Sequence, residues 1–269
     1  MISAQHVSYR YPGGTEYALQ DVSAHVEQGE VVGIVGPNGS GKSTLGRLMK
    51  GLLLPSAGII CVDGLDTRLG GLEVRRVVGL VFQNPNSQIV NAVVEQEVAF
   101  GLENMGVPPA EIRQRVSSAL KAVGLIGQEM EECYKLSMAD KQRVALAAVI
   151  AMEPSYLILD EPTAWIEPSA RGPLIDEVLG WGAHREVGIV LVTHRMDEAQ
   201  ACSRLYGMLD GRVEAEGTPE DLFENKDIRS RLALEVPETF ELAADLRAAG
   251  VPVPRGASID RLADSIVGS

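Results

Sequence analysis

The feature that most constrains this chain is a glycine-rich turn that joins an apolar strand to a helical segment. The turn reads Gly-Pro-Asn-Gly-Ser-Gly-Lys-Ser over residues 36–43 and follows the apolar run Val-Val-Gly-Ile-Val over residues 31–35. Beyond the turn, apolar side chains recur with helical spacing, at Leu45, Leu48 and Met49. A strand, a glycine-rich loop and a helix in this order predict the βα unit of an α/β fold, with a loop that binds phosphate.

Each part of this phosphate loop has a chemical task. Gly39 and Gly41 permit backbone conformations that a Cβ would block, so successive N–H groups can surround an anion at a helix N-terminus. Lys42 is expected to bind the β- and γ-phosphates, Ser43 to ligate Mg²⁺ and Thr44 to bond the α-phosphate. The predicted nucleotide-binding residues of the loop are Gly36, Pro37, Asn38, Gly39, Ser40, Gly41, Lys42, Ser43 and Thr44.

A second acidic element follows the apolar run Leu-Ile-Leu over residues 157–159. The run ends in Asp160 and Glu161, which places both carboxylates at the edge of the sheet where ligands of α/β proteins bind. We expect Asp160 to hold Mg²⁺, mostly through water, and Glu161 to act as the general base for an attacking water. A strand that ends in Asp-Glu is common, and its pairing with the phosphate loop is what predicts ATP hydrolysis.

Composition narrows the class of partner. The formal net charge of -13 is the opposite of the basic footprint of nucleic-acid-binding proteins, so no nucleic acid partner is expected. The longest apolar run, residues 144–152, is much shorter than the ~20 residues that cross a bilayer, so we expect no direct lipid insertion. The N-terminus lacks the pattern of a signal peptide. The three cysteines have no metal-binding spacing and are interpreted as reduced thiols.

The pattern along the chain predicts an α/β core with two additions. Residues 2–30 alternate short strand-like pieces with turns, and further buried strands are predicted at residues 77–82, 156–159 and 188–192. Helical patterns at residues 111–123 and 140–152 predict a helical subdomain inserted over about 84–152. Beyond Asp210-Gly211 we predict a tail of short helices.

Around these elements the sequence resembles the ATP-binding cassette (ABC) ATPases over nearly residues 1–225. Gln83 matches the glutamine that senses Mg²⁺ and the attacking water, and His194 matches the histidine that contacts the γ-phosphate. Tyr11 stands where the family stacks an aromatic ring on adenine, with Tyr9 as the alternative, and Ser137 belongs to the signature at a helix N-terminus. The resemblance implies a P-loop NTPase (RecA-like) core with an N-terminal antiparallel β subdomain, bound to ATP and to Mg²⁺ held by Ser43, Gln83 and Asp160.

A finer resemblance, to the ATPases of energy-coupling factor (ECF) transporters and their relatives in cobalt and nickel uptake, lies in residues 82–90, 94–101 and 103–104. In that family two ATPases pair beneath a transmembrane coupling protein, and small membrane subunits capture vitamins or metal ions. The resemblance therefore implies a peripheral protein at the cytoplasmic face of the membrane. It also implies that the chain divides into an ATPase domain at 1–225 and a C-terminal helical extension at 226–269, which is used when the two ATPases pair.

Two motifs depart from the family pattern. The signature LSGGQ is replaced by Leu-Ser-Met-Ala-Asp at 136–140, and the following S-A-L-D-P loop is replaced by Ala-Trp-Ile-Glu-Pro at 164–168. In the family both motifs act on the nucleotide held by the partner subunit, so these changes weaken the partner's site and leave this chain's own phosphate loop complete. We therefore hypothesise a heterodimer with unequal sites, and a homodimer stays open.

Functions of other classes remain as alternatives. A regulatory nucleotide-binding subunit with little turnover would fit the altered signature, but Glu161 and His194 would then have no task. A soluble ABC ATPase acting on DNA or translation would be expected to carry coiled-coil insertions or a second cassette, and neither is present. A small-molecule P-loop kinase would leave Gln83 and the signature helix without a role.

Overall fold

The computed structural model describes residues 1–250 and Val253, and it begins with a four-stranded antiparallel sheet. Its strands are β1 (Ile2–Tyr9), β2 (Leu19–Val26), β4 (Ala57–Val62) and β5 (Leu65–Asp66), in the order β2-β1-β4-β5. From Val22 onward alternate residues of β2 are buried, namely Val22, Ala24 and Val26, and Leu19 is buried beyond an irregularity in the pairing with β1. This period of two gives the sheet one apolar face, which packs against the rest of the protein.

The second sheet has six strands and carries the phosphate loop. Its members are β3 (Val31–Val35), β6 (Val78–Val81), β7 (Tyr156–Asp160), β8 (Gly188–Val192), β9 (Arg204–Leu209) and β10 (Arg212–Gly217). The order is β10-β9-β3-β8-β7-β6, parallel except for the antiparallel β9–β10 pair. The carboxyl ends of β3, β6, β7 and β8 therefore meet at one edge.

The central strands are apolar along their whole length because both of their faces are covered. In β7, Tyr156 and Ile158 belong to a buried cluster shared with the first sheet and with α1 (Lys42–Met49). Leu157 and Leu159 point to the opposite face, where they join a second buried cluster. The sheet thus separates two apolar layers.

The helices cover both faces of the six-stranded sheet. Between β6 and β7 lie α3 (Val94–Asn104), α4 (Pro109–Ala122) and α5 (Met138–Ala151), together with short 3-10 turns at Pro85–Ser87 and Cys133–Lys135. Helix α2 (Gly71–Val77) precedes β6, α6 (Pro168–Ala183) lies between β7 and β8, and α7 (Met196–Ala199) lies between β8 and β9. Helix α4 begins at a proline, whose fixed φ suits the first helical turn.

The predicted helical tail is wrong for its first segment. Asp210 and Gly211 both have positive φ, 47° and 76°, and form a tight turn that returns the chain as β10. An Asp-Gly pair between two strands is a hairpin signal that the sequence interpretation missed. Helices α8 (Pro219–Glu224), α9 (Lys226–Leu232) and α10 (Glu238–Ala248) follow. Most of the predicted extension beyond residue 250 lies outside the described residues.

The three cysteines are unpaired and differ in exposure. Cys133 and Cys202 are buried and Cys61, on β4, is partly exposed. Burial, with a smaller contribution from the nearby Glu198 carboxylate, raises the pKa of Cys202 to about 12. Over residues 1–250, no helix combines the length and the apolar character that a membrane-spanning segment needs. The observed mixture of a parallel-rich and an antiparallel sheet with covering helices confirms the predicted α/β class.

Candidate functional site

The phosphate loop connects β3 to α1 and can be built only from glycine at key positions. Gly41 has a φ of 100°, and a Cβ there would lie 2.6 Å from Leu19 Cδ2 and 2.7 Å from the Ala18 carbonyl oxygen. Gly36 has a φ of 141°, and a Cβ would overlap the Met208 carbonyl oxygen. Because β9 and the start of β2 press against the loop, its backbone is held in place with the amides of α1 at its open end.

Lys42, the first residue of α1, folds back across this loop. Its Nζ donates hydrogen bonds to the carbonyl oxygens of Gly36 at 2.8 Å and Pro37 at 2.9 Å. Burial lowers the pKa of Lys42, and the carboxylates of Glu161 and Asp160 oppose that shift. A cation is therefore held in the concavity of the loop, where a phosphate would be bound.

Ser43 and Asp160 place two oxygen atoms that could ligate a cation beside the loop. Ser43 Oγ donates a hydrogen bond of 2.7 Å to Asp160 Oδ1, which places the residue after the loop lysine against the carboxyl end of β7. Burial raises the pKa of Asp160, and the Ser43 hydrogen bond opposes that shift. A hydroxyl and one carboxylate are hard oxygen ligands, which Mg²⁺ combines with phosphate oxygens in nucleotide sites. These residues fit the metal that the sequence predicts.

Glu161 lies at the centre of the polar cluster above β7. Gln83 Nε2 donates to Glu161 Oε2 at 2.7 Å, and His194 Nδ1 lies 3.2 Å from Glu161 Oε1. Glu161 has a φ of 48°, a left-handed conformation that costs a non-glycine residue of order 1–3 kcal/mol. The ends of β6, β7 and β8 thus bring the three predicted catalytic side chains into direct contact.

A cavity of about 580 Å³ opens over the loop and this cluster. Ten of the predicted residues line it, namely Tyr11, Asn38, Gly39, Gly41, Lys42, Ser43, Thr44, Gln83, Glu161 and His194. Ala18 also lines it and was not predicted, because an alanine before a strand carries no sequence signal of its own. Gly36, Pro37 and Ser40 shape the loop, and the buried Ser40 hydroxyl has no hydrogen-bond partner among the described residues.

Tyr11 stands at one wall of the cavity. Its hydroxyl lies 3.0 Å from Thr44 Oγ1, and its side chain is 39% exposed. Tyr9 is buried, and its ring meets that of Tyr11 edge-on at a centroid distance of 5.0 Å. An exposed ring at the mouth of a phosphate site is the arrangement that base stacking requires, and of the two tyrosines only Tyr11 offers a free surface.

The structure does not bring Ser137 into this cavity. Ser137 is the N-cap of α5, and its Oγ accepts from the Asp140 backbone N–H at 3.1 Å while donating to Asp140 Oδ2 at 2.7 Å. Lys141 Nζ donates to Asn86 Oδ1 at 3.2 Å, which ties the start of α5 to the segment after Gln83. The signature serine is therefore engaged within its own helix.

A phosphate loop, a magnesium-type oxygen pair and a glutamate beside a glutamine and a histidine define a P-loop NTPase site. The profile described as ABC transporter matches residues 19–164. A relative from Caldanaerobacter subterraneus, called energy-coupling factor transporter ATP-binding protein EcfA1, is 42% identical over 94% of each chain.

Solved structures give the same result. The structure of cbiO1 from Clostridium perfringens, described as part of the ABC transporter complex cbiONQ, has a TM-score of 0.77 at 36% identity and covers 90% of this chain and 97% of its own. A dimeric bacterial ABC transporter cassette, MJ0796, has a TM-score of 0.75 at 29% identity and covers 81% and 99%. The chain belongs to the ABC transporter family, as an ATPase with its P-loop NTPase fold. The resemblance drawn from the sequence, including its ECF type, is confirmed.

Proposed function

We propose that this chain is the ATP-hydrolysing subunit of an ECF-type importer for vitamins or metal ions. The observation that carries the proposal is that Lys42, Glu161 and His194 line one cavity, in a chain whose relatives bear the names of ECF and cbiONQ transporter components. In this proposal it works as one half of an ATPase dimer, held at the cytoplasmic face of the membrane by a coupling protein and a substrate-capture subunit.

The binding chemistry follows from the loop. The triphosphate displaces the Gly36 and Pro37 carbonyls from Lys42 Nζ, so the ammonium moves from backbone oxygens to the β- and γ-phosphates. Tyr11 supports the adenine, and Ser43, Asp160 and Gln83 hold Mg²⁺. When bound, the metal supplies positive charge that stabilises the transferring phosphoryl group.

Hydrolysis then falls to the cluster above β7. Glu161 accepts a proton from the attacking water, while Gln83 fixes one of its carboxylate oxygens and His194 lies against the other. His194 is also the residue placed to contact the γ-phosphate, since it lines the same cavity as Lys42.

The other ATP site of the dimer, formed by the partner's phosphate loop and this chain's signature, is proposed to turn over slowly. The Ser137 hydroxyl donates a hydrogen bond to Asp140 Oδ2, an acceptor that competes with a partner's γ-phosphate. The Asp140 carboxylate also occupies the helix N-terminus, where its negative charge repels an incoming phosphate. Trp165, 54% exposed in the altered loop after Glu161, adds bulk at the surface that would face the partner. A paralogous partner with an intact signature would complete the site on this chain's own phosphate loop, and ATP would be hydrolysed there.

The test uses the full-length chain co-expressed with an ECF-type partner ATPase, a coupling protein and a capture subunit. In vesicles, the purified assembly is expected to hydrolyse ATP and import the captured substrate. Lys42→Ala should abolish most of both activities, whereas Lys121→Ala, which alters an exposed lysine of α4, should leave them unchanged. Failure of the wild-type chain to bind MgATP or to assemble with any membrane subunit would refute the proposal.

The regulatory alternative makes a different prediction in the same assay. A subunit with little turnover would bind MgATP, and Lys42→Ala would leave most ATP hydrolysis intact. Mutation of the partner's matching lysine would then remove nearly all of it. The contact of Gln83 and His194 with Glu161 favours the catalytic proposal, because a site that only senses nucleotide has no need to orient a carboxylate.

A further inference from the structure

A buried carboxylate lies behind the candidate site and joins two of its loops. Glu198, in the short helix α7, is only 5% exposed. It accepts hydrogen bonds from the hydroxyls of Thr163 and Thr193, the second at 2.8 Å, and both threonines are themselves buried. Glu198 does not line the nucleotide cavity, so it can influence the reaction only through other residues.

The two threonines are close in sequence to the proposed catalytic side chains. Thr163 lies in the loop that follows Glu161, and Thr193 directly precedes His194. Thr193 Oγ1 also accepts a hydrogen bond of 3.0 Å from the Arg195 backbone N–H, which closes a turn around His194. Glu198 therefore links the loop that follows Glu161 to the turn that contains His194.

The charge of Glu198 is balanced by Arg195. Arg195 Nε lies 3.1 Å from Glu198 Oε1, and its Nη2 donates to Asp197 Oδ2 at 2.8 Å. Removing a carboxylate from water is costly, and a partly buried arginine with two hydroxyl donors offsets that cost. Met196 and Ala199 of α7 belong to the apolar core, so an apolar residue at position 198 would avoid the cost of burying a charge. What the carboxylate adds is the bond to both loops.

We propose that Glu198 is a positioning residue for ATP hydrolysis, acting through the loops that carry Glu161 and His194. This inference rests on the proposed function, since it presumes that those two side chains take part in hydrolysis. Without the carboxylate, Thr163 and Thr193 lose their common acceptor and the 3.2 Å contact between His194 Nδ1 and Glu161 Oε1 loses its support. Nucleotide binding is assigned to the phosphate loop, whereas the polar partners of Glu198 are Thr163, Thr193 and Arg195.

The first experiment compares Glu198→Gln with Asp197→Asn in the full assembly. Both replacements neutralise a carboxylate that pairs with Arg195, but the Asp197 side chain is 52% exposed and its hydrogen bond is to Arg195 rather than to a threonine. Glu198→Gln is expected to lower the ATP hydrolysis rate at saturating MgATP by about 10- to 100-fold, the effect of a slightly misplaced catalytic group. Its MgATP affinity should change by less than about twofold, and Asp197→Asn should match wild type in both.

A double-mutant cycle with His194→Ala separates positioning from a general structural role. If Glu198 acts through the histidine loop, Glu198→Gln should change the residual rate of His194→Ala far less than it changes the wild-type rate. Fully additive losses, or a loss of MgATP affinity that parallels the loss of rate, would overturn the inference. A His194→Ala protein as active as wild type would instead refute the proposed function.

A second variant covers the case in which Glu198→Gln does not fold. Thr163→Val has nearly the same shape as the native residue and removes one donor from Glu198 while leaving the charge and Arg195 in place. It should reduce the hydrolysis rate with MgATP affinity preserved. A wild-type rate for Thr163→Val, in protein whose thermal unfolding shows it to be folded, would count against the positioning role.

Discussion

Gln83 and Glu161 are joined by a hydrogen bond of 2.7 Å although they lie 78 positions apart in the chain. The bond spans the carboxyl ends of the neighbouring strands β6 and β7, which are paired in parallel register. It fixes the Glu161 carboxylate from one side while His194 approaches it from the other. The orientation of the proposed base is therefore set by strand pairing.

Glu161→Gln should block hydrolysis and preserve binding. An amide cannot accept the proton of the attacking water, so we expect the rate to fall by about 10²–10⁴-fold. MgATP should still bind, because Lys42 and Ser43 are untouched, and the dimer should accumulate in a closed form. Phosphate release and equilibrium nucleotide binding measure the two effects. Glu186→Gln is a matched control, since Glu186 has a similar φ of 54° and lies outside the cavity. A normal hydrolysis rate in Glu161→Gln would refute the assignment of Glu161 as the base.

Gly41→Ala should destabilise the nucleotide-free protein more than Gly39→Ala. Both glycines have positive φ, but a Cβ at position 41 would meet Leu19 and Ala18, whereas one at position 39 would meet nothing within 4 Å. Backbone strain alone costs about 1 kcal/mol, and the overlap should add roughly 1–3 kcal/mol. Urea unfolding measures both. Gly13→Ala, at an open site with a φ of 78°, controls for strain outside the phosphate loop.

Restoring the signature should activate the partner's site. The triple replacement Met138→Gly, Ala139→Gly and Asp140→Gln frees the Ser137 hydroxyl from its acceptor and removes a negative charge. In an assembly whose own Lys42 is replaced by alanine, only the opposite site can turn over. There the restored signature should raise ATP hydrolysis about tenfold or more, as one regained charge-assisted hydrogen bond predicts. An unchanged rate would mean that this chain's signature does not limit that site.

The lowered pKa of Lys50 predicts that the free energy of unfolding changes in alkaline solution. Its Nζ donates to the carbonyl oxygen of Arg75 at 2.7 Å, and burial, with a smaller effect of the Arg75 charge, lowers its pKa to about 8 from an unfolded value of 10.5. Between these values the unfolded chain holds more protons than the folded one, so the contribution of Lys50 to stability rises with pH. The free energy of unfolding of wild type relative to Lys50→Met should therefore increase from pH 8 to pH 10.5.

Urea titrations at several pH values across this window measure the difference. Lys121→Met, which alters an exposed lysine of α4, supplies the control and should show a difference that does not vary with pH. Using the difference between each variant and wild type cancels the tyrosines that titrate in the same range. A flat difference for Lys50→Met would contradict the lowered pKa.

The sequence predicted the phosphate loop and the acid pair because both are local. Residues 36–43 form a continuous motif, and Asp160 and Glu161 directly follow an apolar run, so strand order alone brings them to one edge. Gln83 and His194 were assigned by resemblance to the family. Their contacts with Glu161 depend on the adjacency of β6, β7 and β8, which no single sequence segment specifies.

Other features could not be read from the sequence. The engagement of Ser137 by Asp140 depends on the rotamers of both side chains at the start of α5. Glu198 looks like an ordinary charged residue of a short helix, and its burial arises only when the loops of Thr163 and Thr193 fold over it. By contrast, β10 was predictable, because Asp210-Gly211 between two strands is a recognised turn signal.

The burial of Cys133 and Cys202 gives the protein a practical property. Burial raises the pKa of both thiols, which leaves almost no thiolate to react with alkylating reagents at neutral pH. Cys61 is partly exposed on the antiparallel sheet and does not line the nucleotide cavity. A maleimide fluorophore should therefore attach at one defined position without cysteine removal, and energy transfer between labelled copies or partners could time the closing of the dimer.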